Sequence, residues 1–132
     1  MDIVLRTNDP EAGLELRGFH RFADGSGFRT LVCIRSGEFS AQVPYYFEPH
    51  PFNRFIGELE ALDRSLSGSA TLRPMWEERP HLTFSVDRAG RLAISGLLEY
   101  GTQEVRFELV TDQTCLRPFV TDLRSSLDAP AT

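Results

Sequence analysis

The sequence predicts an α+β domain: a strongly twisted antiparallel sheet of six to eight strands, whole or split in two, with two amphipathic helices on its apolar face. Three observations carry this reading. The stretch FNRFIGELEALDRSL, residues 52–66, places Phe52, Phe55, Ile56, Leu59, Leu62 and Leu66 at steps of three and four, on one side of a helix. Alternating apolar segments bounded by turn residues lie on both sides of it. A second stripe, Leu116, Phe119, Val120, Leu123 and Leu127, closes the chain. Burying the first stripe alone contributes on the order of 10 kcal/mol before conformational entropy is counted.

In chain order, residues 2–6 offer a short edge strand before Asn8, Asp9, Pro10 and Gly13 break the pattern. Residues 14–22, LELRGFHRF, alternate and then slip at Gly18, which reads as a bulged strand. ADGSG turns the chain into a return strand over 28–35, and Ser36 and Gly37 turn it again. In residues 38–47 the alternation Phe39, Ala41, Val43 points to a strand whose end Pro44, lacking a donor, confines to a sheet edge. Pro51 suits the first turn of the helix and Gly68 its left-handed cap. Residues 71–75 pair as a short strand, and RPMWEERPH, residues 73–81, is mostly loop. HLTFSV and RLAISGLLEY flank the turn DRAG as a hairpin, with a shift at Gly96; residues 103–110 follow, alternating Val105, Phe107 and Leu109. Pro118 opens the second helix, with Asp112 or Thr114 as its cap, and residues 128–132 fray. The echo of FIGEL in FVTDL allows a meander-plus-helix unit used twice, although chance similarity of two short amphipathic helices explains it more simply.

A chain of 132 residues, 41% hydrophobic, fits one domain able to bury a core without disulfides or metal. Its formal net charge of −5 disfavours nucleic acid and anionic membranes and favours a basic partner. All fourteen basic residues are arginine, which scattered usage explains more simply than a shared anion site. Neither a signal peptide nor a membrane span is apparent, so the expected location is the cytoplasm.

Catalytic and metal signatures are weak. Cys33 and Cys115 are too few and too far apart for a metal spacing or a disulfide framework. His20, His50 and His81 do not fall into a recognised ligand pattern, so no metal or cofactor is expected. Cys115, at the entry to the second helix, is the best nucleophile on offer for a cysteine-dependent enzyme, but its sequence context names no base. The pairs Glu77 with Glu78 and Glu58 with Asp63 read as solvated faces. The expectation is therefore a non-catalytic binding protein. Tyr45, Tyr46 and Phe47 with Glu48, and Trp76 with Glu77 and Glu78, join rigid rings to negative charge, the composition of a hot spot for a basic protein; the alternative is that the rings cover an open sheet edge. A homodimer joined through the edge strand before Pro44 is the other reading.

Taken together, FNRFIGELEALDRSLSG, HLTFSVDRAGRLAISG and VRFELVTDQTCLRPFVTDL resemble, in element order and apolar spacing, the small bacterial immunity proteins of the WapI type and related families. The likeness covers half to two thirds of the chain. It implies a cytoplasmic bacterial protein that masks a cognate toxin domain by binding it, with no catalytic residues to carry over.

Overall fold

The structure, a computed structural model, describes residues 1–128. Its elements are β1 (Ile3–Arg6), β2 (Ala12–Arg21), β3 (Phe28–Ser36), β4 (Phe39–Phe47), α1 (Pro49–Ser65), β5 (Ser69–Leu72), β6 (Leu82–Val86), β7 (Arg91–Tyr100), β8 (Gln103–Asp112), a 3₁₀ turn (Gln113–Cys115) and α2 (Leu116–Asp128). The fold is α+β, but a single sheet of six to eight strands does not form. Eight strands make two antiparallel sheets, ordered β1-β2-β3-β4 and β5-β6-β7-β8. The physical reason lies in α1, which follows β4 directly and carries the chain away before β5 can pair with it. Four strands and then a helix thus occur twice in succession. Of the tail expected to fray at 128–132, Asp128 closes α2 and the remainder lies outside the described residues.

In the first sheet the register between β2 and β3 shifts between Arg17 and His20, with Gly18 at φ 61°, so the expected bulge is present. In the second sheet β7 pairs without a shift on both sides of Gly96. Gly96 is a point of close approach: a Cβ there would run into the Phe107 ring and lie 2.8 Å from the His81 carbonyl oxygen. Helix α1 starts earlier than its apolar stripe, because Pro49 and Pro51 occupy first-turn positions where a missing N–H costs nothing. It ends near Leu66 as expected, but the cap is not Gly68. Leu66 itself takes the left-handed cap at φ 56°, its N–H donating to the Leu62 carbonyl at 2.9 Å, and its side chain leaves the stripe for solvent.

One apolar core joins both sheets and both helices. Helix α1 straddles the two halves: Phe52 packs on Phe19, Phe28 and Phe47 of the first sheet, while Phe55 meets Phe84 of the second. Phe84 in turn stacks on Phe119 of α2 at 5.7 Å. Helix α2 lies against β1 and α1 against β5, where Glu58 Oε1 accepts the Thr71 N–H at 3.2 Å. Glu60 with Arg124 and Asp63 with Arg117 tie the helices together on the surface. Two strand ends depart from the alternation read in the sequence: Phe39 and Val105 are exposed, because each sits near a hairpin tip that overhangs the core. No described helix is long and apolar enough to cross a membrane.

Candidate functional site

The six residues singled out in the sequence converge where the last turn of β4 meets the 73–81 loop, but they do not all face outward. Strand parity decides this. Val43, Tyr45 and Phe47 point into the core and Tyr46 points away, so Tyr45 is 1% exposed and Tyr46 38%. The expectation that Tyr45 contributes to an exposed hot spot is corrected accordingly: it is a buried strand residue, and β4 runs through Pro44 because Leu31 still pairs opposite it. Glu48 lies exposed at the start of α1.

The 73–81 loop is fixed to the free edge of β4 by the Met75 N–H, which donates to the Tyr46 carbonyl at 2.8 Å. This seats Trp76 against both tyrosines, with ring centroids 5.6 Å from Tyr45 and 6.1 Å from Tyr46; Tyr46 also stacks on Phe22 at 6.4 Å. Trp76 covers Tyr45 and still remains 56% exposed. A ribbon of Phe22, Tyr46, Trp76 and Met75 therefore shows apolar surface across the junction of the sheets. Beside it lies a shallow cleft of about 200 Å³, lined by Glu48, Arg73, Met75, Glu77 and Glu78 among others.

The two glutamates of the loop differ. Glu78 is exposed. Glu77 is turned inward: Oε1 accepts the N–H groups of Glu78 and Arg79 at 3.0 and 3.2 Å, and Oε2 accepts from Arg79 Nη2 at 3.1 Å. The Arg79 side chain, with these amides, holds its carboxyl at about 2. Arg79 reaches Glu99 at the end of β7 as well, bridging two carboxylates.

Under this surface Tyr45 joins the sheets. Its hydroxyl lies 2.7 Å from His81 Nδ1, accepts the Glu99 N–H at 2.9 Å and reaches the Leu97 carbonyl at 3.3 Å. Burial pushes the phenol up and the His81 imidazole down from their ordinary values. His81 is 1% exposed, and its Nε2 lacks a hydrogen-bond partner among the described residues. Glu77 Oε2 is 3.9 Å from that nitrogen, and Glu77, His81 and Glu99 each place a ligating atom within 4.8 Å of the others. Sequence reasoning missed this grouping. Glu77 and His81 stand four apart, but in a loop, where that spacing carries no fixed geometry, and Glu99 arrives only through the pairing of β6 with β7.

Cys115 ends the 3₁₀ turn, its Sγ 3.4 Å from Thr111 Oγ1 and 3.6 Å from Asn8 Oδ1, so the groups bonded to the thiol are a hydroxyl and an amide. Asp112 caps that turn by accepting the Thr114 N–H at 2.9 Å. A larger hollow spreads over the outer face of the first sheet, past Val4, Glu15, Arg17, Cys33, Arg35 and Gln42. Two of its arginines are engaged locally, Arg17 with Glu15 and Arg35 with Glu11.

No curated protein matches the sequence significantly. Among solved structures, the MRP1/MRP2 proteins of Trypanosoma brucei share the fold, with a TM-score of 0.51 at 12% identity over 98% of this chain and 85% of theirs. The family model for the immunity protein WapI-like family matches residues 6–130, which is nearly the whole of the two-sheet, two-helix unit. The chain belongs to the WapI-like immunity protein family.

Proposed function

We propose that this protein acts in the cytoplasm as an immunity protein, binding a cognate toxin domain and masking it, with Tyr46 and Trp76 as the apolar centre of the contact. The observation that carries this reading is the exposed Tyr46–Trp76 pair, held at 6.1 Å on a loop stapled to β4, within a chain of the immunity family. Rings already seated before association lose little conformational freedom on binding, and aromatic side chains dominate the energetics of such contacts. Glu48 and Glu78 lie exposed beside them, and the net charge of −5 favours a basic toxin surface over an acidic one. Tyr45 and Glu77 act here as supports: the phenol holds the floor under Trp76, and the carboxylate orders the loop through Arg79.

The test is co-expression with candidate toxin domains drawn from the gene's neighbours, followed by affinity measurement on the purified pair. Trp76→Ala combined with Tyr46→Ala is expected to weaken binding by about 30-fold or more while leaving the melting temperature within a few degrees. Unchanged affinity in a folded double variant removes this surface from the contact.

A second reading, a homodimer, draws on the edge of β4 before Pro44, where Phe39 is 78% exposed. Light scattering separates the two: a mass of two chains supports the dimer, and that of one chain ends it.

A further inference from the structure

The group formed by Glu77, His81 and Glu99 is built in a way that neither a surface ion pair nor a core histidine requires. Tyr45 and its neighbours offer His81 a partner for one ring nitrogen. A tyrosine hydroxyl has one proton to give and two lone pairs. The Glu99 N–H takes one lone pair, and the Leu97 carbonyl lies where the hydroxyl proton can be donated. With the hydroxyl proton on that carbonyl, the remaining lone pair accepts from His81 Nδ1–H at 2.7 Å and the lone pair of Nε2 is left unshared, which is the tautomer a metal ligand needs. That buried nitrogen lacks a hydrogen-bond partner among the described residues; Glu77 Oε2 lies 3.9 Å from it, and a Glu99 carboxylate oxygen comes within 4.8 Å of both Glu77 and a His81 ring nitrogen. The Arg79 guanidinium bridges the two carboxylates, and a metal ion in its place would engage that nitrogen as well.

We propose that Glu77, His81 and Glu99 bind a divalent transition-metal ion of the zinc class, with Tyr45 as the residue that orients the imidazole and Arg79 as the cation that the metal displaces. Imidazole nitrogen with carboxylate oxygen suits zinc and its neighbours better than calcium or magnesium, which prefer all-oxygen sites. Histidine ligands are characteristically held through their other ring nitrogen, the position Tyr45 occupies. The ligating atoms lie within 4.8 Å of one another, against about 3.3 Å between two ligands of a tetrahedral zinc. Modest movement of the glutamate side chains closes that difference. Arg79 bridges both carboxylates from a side chain that is half exposed, so it can swing into solvent as the metal enters. Three protein ligands leave a fourth position open to water or to a group on a partner.

This inference stands apart from the toxin-binding reading and is tested on the isolated full chain. Zinc is titrated in competition with a chromophoric chelator, and circular dichroism checks the fold of every variant. One equivalent of zinc is expected to bind. Glu77→Gln and Glu99→Gln should each lower the affinity by about tenfold or more, and Tyr45→Phe by about tenfold with all three ligands in place. Arg79→Ala should tighten binding. Because His81 is buried and its replacement risks the fold, the two partly exposed glutamates carry the decision. The assignment is overturned if the wild type binds no zinc, or if both glutamate variants bind it as tightly as the wild type does, which would place the metal on other histidines or on Cys33 or Cys115.

Discussion

Gly96→Ala is the substitution for which the packing between β6, β7 and β8 sets the sharpest expectation. Gly96 pairs with Leu82 on one side and Phe107 on the other, and its φ lies outside the left-handed region, so alanine meets no conformational barrier there. On backbone entropy alone the change would stabilise by about 0.4 to 1 kcal/mol. Sterics act in the opposite direction and are larger. The new methyl would lie inside van der Waals distance of Phe107 Cε1 and Cζ, and 2.8 Å from the His81 carbonyl oxygen. The ring, only half buried, can turn away; the carbonyl is held by the Leu97 N–H at 3.0 Å and cannot retreat without straining that bond. Overpacking of this kind costs about 1 to 3 kcal/mol. The net expectation is a loss of about 1 to 2 kcal/mol, a fall in melting temperature of roughly 3–10 °C for a domain of this size. Urea denaturation gives the free energy. Combining the change with Phe107→Ala should recover part of the loss, leaving the share due to the carbonyl. A stability equal to or above that of the wild type would refute the close approach and return Gly96 to the bulge that its sequence context suggests.

Leu59→Ala removes a fully buried side chain from the straddling helix and should cost about 2 to 5 kcal/mol by urea denaturation; a change under about 1 kcal/mol would contradict the packing of α1 between the sheets. Tyr45→Phe withdraws the acceptor of the Glu99 N–H and the partner of His81 Nδ1, so a loss of about 1 to 3 kcal/mol is expected, with a neutral result counting against the buried network. With a chelator present, His81 also makes stability depend on pH. Its folded value lies below the ordinary 6.5 because of burial. The unfolded chain therefore takes up a proton first: the contribution is whole above about 6.5 and is lost as pH falls toward the folded value. Denaturation midpoints measured downward from about pH 7.5 should show this decline, and a folded His81→Gln variant should show less of it.

Much of the fold was legible because it rests on local periodicity. The apolar residues of α1 announce a helix, Gly18 marks a bulge, and each hairpin carries its own turn chemistry. The division into two sheets was not legible, since whether β5 pairs with β4 or starts anew depends on where α1 carries the chain. Gly96 and Gly18 look alike as interruptions of an alternating pattern, yet one lengthens a strand and the other admits a neighbouring ring. The position of Tyr45 was partly legible: extending Phe39, Ala41, Val43 by two more steps puts Tyr45 and Phe47 inside, and Pro44 obscured that by suggesting the strand had ended. The meeting of His81 with Glu99 depends on the β6–β7 register and on a tyrosine from the other sheet, so nothing short-range could announce it.

Each helix lies against the opening strand of the half to which it does not belong in sequence order, α1 on β5 and α2 on β1. Separated near the joint after Leu66, the first 66 residues would keep a helix with nothing beneath half of it and a leading strand stripped of cover, and the complementary fragment would fare likewise. The two halves are therefore interlocked in the manner of clasped hands. The molecule should come apart in one concerted step, and two fragments that fail to fold alone should regain structure when mixed.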